Sequence, residues 1–370
     1  MRKIGLGLIA AAATMFASGP SMAQEIVIAS VGPMTGQYAA FGEQMRRGAQ
    51  AAVDDLNAKG GVLGRKIKLE IGDDACDPRQ ARAVATQMAG RKVALIAGHF
   101  CSSSSIPASE VYAEAKILQI SPASTNPALT DGAAGKGWTN VFRTCGRDDQ
   151  QGAVAGAYIA DKFKGKNVAI IHDKSTYGKG IADETKKALN AKGVKETMYE
   201  AITQGDKDFS ALISKMKAAR VDVMYLGLYH TEAGLLVRQS REQGFTAQAI
   251  SEDALVTDEF WKITGAAGEG TLMTFAPDPR KAKEAAQVVA RFKQQGYDPE
   301  GYTLYTYAAI QVWAAAVEKT KSLDLAQLSK AIRGQSFNTV IGSLKYDNKG
   351  DVSNSQYVFY VWKAGKYAEM

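Results

Sequence analysis

Apolar positions along this chain fall into two recurring patterns. Short unbroken runs such as Val93-Ala94-Leu95-Ile96 and Ile117-Leu118-Gln119-Ile120 read as buried strands. Longer stretches repeat their apolar residues at helical spacing. Met45, Ala49, Ala52, Val53 and Leu56 mark one face of a helix predicted from Glu43 to Lys59, which Gly60-Gly61 stops. A strand is predicted from Ile26 to Val31 before that helix. Another follows it from Lys66 to Ile71, then a helix from Pro78 to Ala89. Strands and helices that alternate with short links predict a parallel, doubly wound α/β sheet.

The pattern breaks near Lys136 to Arg147, where Gly132 to Gly137 read as a flexible surface insertion. It then restarts. Helices are predicted at Asp149 to Phe163, Lys179 to Ala191, Phe209 to Ala219, Glu232 to Gln243 and Asp258 to Thr264. Strands are predicted at Asn167 to His172, Val194 to Tyr199, Val223 to Leu226, near Ala249 and at Thr271 to Phe275. This is a second α/β unit of similar size, as a 370-residue chain allows. Helices at Arg280 to Gln294, Leu304 to Lys319 and Leu325 to Ile332 outnumber the strands around them, so they are assigned to the first unit. Short strands near Leu344 and at Val358 to Trp362 close the chain.

Composition narrows the class. Arg2 and Lys3, the apolar stretch Ile4 to Ala17 and the small residues of Ser21-Met22-Ala23 read as a secretory signal cleaved after Ala23. Gln24 then leads the mature chain, which argues against a lipid anchor at that site. No later run is apolar enough to span a bilayer, so a soluble, exported protein is expected. The formal charge of +7 is spread along the chain with no basic block, which leaves nucleic-acid binding unsupported. No phosphate-binding glycine loop follows the first strand, and His99, His172 and His230 stand apart. No cofactor and no metal are expected. An oxidising compartment favours a disulfide. Cys76 and Cys101 each lie just past the end of a strand, and with those strands taken as neighbours the two cysteines are expected to pair. Cys145 is left buried and free.

The candidate chemistry sits where strands end. Gly98-His99-Phe100-Cys101-Ser102-Ser103-Ser104-Ser105 joins a strand to a helix expected from Ile106 to Ala115, and Ser121-Pro122-Ala123-Ser124-Thr125 follows the next strand. The first amides of a helix lack partners inside it and its dipole favours negative charge there, so two neighbouring hydroxyl-rich strand ends suit a carboxylate. Helix capping is the plainer role for either loop alone.

These loops, with Asp73-Asp74-Ala75-Cys76-Asp77-Pro78, His172-Asp173-Lys174-Ser175-Thr176-Tyr177-Gly178, Tyr229-His230 and Asp253-Ala254-Leu255-Val256, resemble the leucine/isoleucine/valine-binding proteins of bacterial ABC importers. The resemblance covers essentially the whole chain after the signal. It implies a two-lobed type I periplasmic binding protein fold, each lobe a parallel doubly wound sheet, joined by three crossovers. Residues 24–146 and 277–350 are assigned to one lobe, 147–276 and 351–370 to the other. It implies that Ser102 holds a ligand carboxylate, that Thr125 adds a second donor and that the Ala123 carbonyl receives the ammonium. Asp253 is the implied acid for that ammonium, with Glu252 next door as the alternative. Tyr177 and Tyr229 come from the second lobe, and Phe41 and Phe100 line the apolar part. Ser124 and Cys101 complete the ligand-binding set. Tyr302 and Tyr305 are assigned to core packing. The implied function is a monomeric periplasmic component that binds branched-chain or similar aliphatic amino acids, without catalysis, and delivers them to a membrane permease. Other amino acids or short amides remain open as ligands. A hydrolase built on Ser102 with His99 as its base is the rival from another class.

Overall fold

The computed structural model describes residues 24–370; the expected signal lies outside them. The first lobe is built on β1 (Ile26–Gly32), β2 (Ile67–Asp73), β3 (Leu95–Gly98), β4 (Leu118–Ser121) and β5 (Val141–Arg143). All five are parallel, in the order β2-β1-β3-β4-β5. Helices α1 (Ala39–Ala58), α2 (Pro78–Gly90), α3 (Ser102–Glu114) and α4 (Ala128–Gly135) link them. The second lobe continues with α5 (Asp148–Lys162), β6 (Val168–His172), α6 (Thr176–Ala191), β7 (Met198–Ala201), α7 (Ser210–Ala218), β8 (Val223–Gly227), α8 (His230–Glu242), β9 (Gln248–Ser251), α9 (Asp258–Thr264) and β10 (Leu272–Phe275).

The chain then returns to the first lobe through α10 (Ala286–Gln294), α11 (Thr303–Thr320), α12 (Leu325–Ile332) and the hairpin of β11 (Ser336–Thr339) and β12 (Gly342–Lys345). Leu304, Ile310 and Trp313 share a core with Ile26, Ile28 and Leu118, which fixes these helices on the first sheet. Finally β13 (Val358–Lys363) and β14 (Lys366–Glu369) add antiparallel strands to the second sheet, whose order is β14-β13-β10-β9-β8-β6-β7. The backbone therefore passes between the two sheets three times. A buried ion network ties two of those passages together. Arg143 is fully buried with Nε 2.7 Å from Asp351, and Arg147 donates to the other oxygen of Asp351 at 2.7 Å.

Several local expectations need correction. Gly132 to Gly135 are not a flexible insertion but the end of α4, because Leu129 and Ala133 pack against Val141 and Trp138. Strand β5 escaped notice because it is three residues long and carries the charged Arg143. The helix expected from Arg280 begins at Ala286, after two short 3-10 turns. Cys76 and Cys101 are bonded, with 5.5 Å between their Cα atoms, yet β2 and β3 are not neighbours, since β1 runs between them. The loop after β2 crosses the end of β1, where the Asp74 amide donates to the Gly32 carbonyl at 3.0 Å. Gly32 lies against the end of the Met45 side chain there, which would have to shift to admit a larger residue. Cys145 is free and buried, and burial pushes its thiol up. Among the described residues, no helix is long and apolar enough to cross a membrane and no group of three or more His, Cys, Asp or Glu is placed to hold a metal ion.

Candidate functional site

The strand ends of the two lobes face each other across a cleft, as expected of doubly wound sheets. On the first lobe, α3 starts at Ser102, four residues earlier than the sequence suggested, so the serine run forms its first turn. Most of those hydroxyls are already engaged. Ser121 donates to the His99 carbonyl at 2.7 Å, and Ser124 donates to the Phe100 carbonyl at 2.8 Å and lies 2.6 Å from the Ser105 hydroxyl. Ser103 reaches the Cys76 carbonyl at 3.4 Å. These groups lace the two loops to each other. Ser102 differs: its oxygen accepts from the Asn126 amide at 3.3 Å, which leaves its own hydrogen free to donate. The Thr125 hydroxyl is buried beside the equally buried Asp148 carboxyl. A buried hydroxyl whose hydrogen is free, as on Ser102, costs free energy unless something meets it.

On the second lobe, Asp253 stands in the short turn after β9 and is buried. Tyr177, in the first turn of α6, donates to its Oδ1 at 2.7 Å. Tyr302, from the first lobe, donates to its Oδ2. Burial pushes the Asp253 carboxyl above the ordinary carboxylate range, while the two phenols hold it back. Neighbouring Glu252 turns the other way. Its side chain accepts from the Leu228 amide at 3.0 Å and from Ser251, inside the lobe. Of the two neighbouring acids, Asp253 is the one that lines the cleft.

Between these groups lies a small, tightly closed cavity. The first lobe lines it with Phe100, Ser102, Ala123 and Tyr302, the second with Tyr177, Tyr229, Asp253 and Ala254. Six expected residues, Ser102, Ala123, Tyr177, Tyr229, Asp253 and Phe100, are therefore brought together. Four others stand behind the wall. Phe41 stacks on Phe100 at 4.4 Å between ring centres and backs it rather than lining the cavity. Ser124 and Thr125 support the second hydroxyl loop, and Cys101 precedes α3 within the disulfide. Tyr302 corrects the assignment to core packing, while Tyr305 lies away from the cavity against Phe275. The signal for Tyr302 was Gly301. Its φ of +51° and its closeness to Gln44 turn the chain so that the Tyr302 amide donates to Gln44 Oε1 at 2.9 Å and the phenol enters the cleft.

The lobes also meet at the mouth. Gln37 of the first lobe donates to Glu232 of the second at 3.2 Å. Gln204 donates to the Tyr38 hydroxyl at 3.0 Å and to Asp173 at 3.1 Å. The rings of Tyr38 and Tyr229 are 4.5 Å apart. Burial raises the carboxyls of both Glu232 and Asp173. Burial also pushes the His230 imidazole down to about 4, so the mouth presents a neutral ring beside Phe41. His99, the base considered for a hydrolytic Ser102, is committed elsewhere. Both ring nitrogens of His99 are engaged, with Asp74 and with Tyr112.

Comparison with known proteins agrees with this architecture. The model of the periplasmic binding protein family matches residues 25–366. A Leu/Ile/Val-binding protein homolog of Brucella suis is 49% identical over 366 residues, covering 99% of this chain and 97% of its own. An amino acid binding protein of Pseudomonas aeruginosa is 49% identical over 370 residues, covering 99% and 98%. Among solved structures, the leucine binding protein LivK of Thermotoga maritima superposes with a TM-score of 0.85 at 28% identity, over 93% of this chain and 97% of that one. The substrate binding protein LivJ of Streptococcus pneumoniae, in complex with isoleucine, gives 0.84 at 25% identity, over 93% and 98%. Likeness of this order along nearly the whole described chain leaves one conclusion: the protein belongs to the periplasmic binding protein family, among the substrate-binding proteins of branched-chain amino acid ABC transporters.

Proposed function

We propose that this protein captures an aliphatic α-amino acid between its lobes in the periplasm and hands it to a membrane permease. The observation that carries this reading is the polarity of the cavity. One end offers the Ser102 hydroxyl and the start of α3. The other offers the buried Asp253 carboxyl, which accepts from the neutral phenols of Tyr177 and Tyr302. A zwitterion supplies what each end lacks. Its carboxylate suits the helix start, and its ammonium forms a charge-assisted pair with Asp253. A ligand without a cation would leave that carboxyl unneutralised, so short amides and simple acids fit less well. Phe100, Tyr229 and Tyr302 then enclose the side chain by contact, which separates similar aliphatic groups only weakly. Contacts from both lobes to one ligand favour the closed form, the state expected to engage the permease.

A thermal-shift screen across amino acids, the matching amides and the matching acids lacking the amino group tests the reading. Aliphatic amino acids at about a hundred times Kd should stabilise the fold by about 2.7 kcal/mol. A larger shift with the amides, or none with any amino acid, would overturn it.

A further inference from the structure

We propose that His99 is a positioning residue for the ligand loop, acting through a buried Asp74–His99–Tyr112 chain that holds Phe100 and Ser102 at the cavity. The proposal rests on the functional reading above for the identity of the ligand.

The His99 ring has no solvent exposure, and neither has the Asp74 side chain. Its Nδ1 lies 2.5 Å from Asp74 Oδ2 and its Nε2 lies 2.9 Å from the Tyr112 hydroxyl. With the hydrogen on Nδ1, the imidazole donates to the carboxylate and accepts from the phenol, and no polar atom of the ring is left over. The other Asp74 oxygen accepts from the Cys76 amide at 2.8 Å. Asp74 follows β2 and Tyr112 lies in the last turns of α3, so the ring spans from one strand end to the body of the helix that starts at Ser102.

The backbone of the same residue holds the second loop. The His99 carbonyl accepts from Ser121 at 2.7 Å and, at longer range, from Ser105 at 3.3 Å and Ser124 at 3.4 Å. One residue later, Phe100 lines the cavity; three later, Ser102 does. Two loops from different strand ends therefore take their relative position from one side chain and its carbonyl. The disulfide joins the same two segments, at 74–76 and 99–101, yet it constrains the unfolded chain more than it orients a ring. The two cross-links are separable by experiment: the disulfide governs stability, and the hydrogen-bonded chain governs how well the loop is formed for the ligand.

The test compares His99→Gln, His99→Asn and Tyr112→Phe with a Cys76→Ser/Cys101→Ser control. Asparagine places its amide nitrogen where Nδ1 stands and keeps the bond to Asp74. Glutamine reaches toward Tyr112 and gives that bond up. Leucine binding is measured by calorimetry, and hydrogen exchange of peptides spanning 98–105 and 119–127 is measured without ligand. We expect roughly tenfold weaker binding and faster exchange in both peptides for His99→Gln, and recovery to within about threefold for His99→Asn. Tyr112→Phe should fall between them, and it removes one oxygen only, so it remains informative should His99→Gln fail to fold. The cysteine control should melt lower. Unchanged exchange in His99→Gln, or faster exchange with unchanged affinity, overturns the proposal. An equal loss in the asparagine and glutamine variants overturns it too. Faster exchange in a protein whose wild type ignores leucine would instead uphold the positioning role and reject the assigned ligand.

Discussion

Replacing Asp253 by asparagine should move binding and stability in opposite directions. The side chain keeps its size, so the cavity keeps its shape. Its oxygen still accepts from Tyr177, while its amide turns toward the oxygen of Tyr302, the two phenols that now serve the carboxyl. What disappears is a charge that is buried and has no cationic partner in the protein. Removing one member of a buried charge pair with the ligand costs about 2–4 kcal/mol, or roughly 30- to 1,000-fold in affinity. The ligand-free protein behaves otherwise. Burial holds the Asp253 carboxyl above its ordinary range. An acid raised in the folded state contributes stability at low pH and loses it as pH rises through the raised value. At neutral pH the asparagine variant should therefore melt no lower than the wild type. Calorimetry with leucine and with 4-methylpentanoate, which lacks the amino group, isolates the interaction. The variant should lose affinity for leucine and not for the acid. Equal losses for both ligands, or an unchanged leucine affinity, would refute the ammonium role.

Two further outcomes are expected. Removing the Cys76–Cys101 bond, which closes a separation of 25 residues, should lower stability by about 3.5 kcal/mol in denaturant titration; a loss below about 1 kcal/mol would show that the bond adds little beyond the surrounding contacts. Binding should also depend on pH through Glu232, whose Oε1 accepts from the Gly205 amide and from Gln37 of the opposite lobe while its Oε2 is buried without a partner. Burial where the lobes meet raises this carboxyl and outweighs the Gly205 and Gln37 hydrogen bonds that hold it down, so we expect closure to be helped as pH falls and hindered as pH rises through the raised value. The difference between wild type and Glu232→Gln in a calorimetric pH series reports this coupling; two parallel profiles would remove it.

The alternation of strand and helix was legible because a strand buried on both faces reads as an unbroken apolar run and its helices as periodic ones. The site was legible at the two hydroxyl-rich strand ends that carry Ser102 and Ala123, whereas Asp253 followed from the family resemblance and not from topology. It was less so where one pattern serves two purposes. A serine run looks the same whether its hydroxyls meet a ligand or one another, and here Ser121, Ser124 and Ser105 bond within the loops. Tyr302 begins an apolar helix and so reads as core, although a single left-handed glycine before it sends the phenol into the cleft. The disulfide was found by assuming the wrong neighbours. Strand order is set by packing among elements far apart in sequence, and the position of β1 between β2 and β3 leaves no local trace.

The closing strands β13 and β14 bear on how the molecule is made. Trp362 and Tyr360 are buried in the second lobe, while the first lobe waits for Trp313 of α11. Neither half can therefore seal its core before residues near the end of the chain are in place. Distant contacts of this kind form slowly. The interleaved order of the lobes thus makes the completion of each core wait on the last segments of the chain.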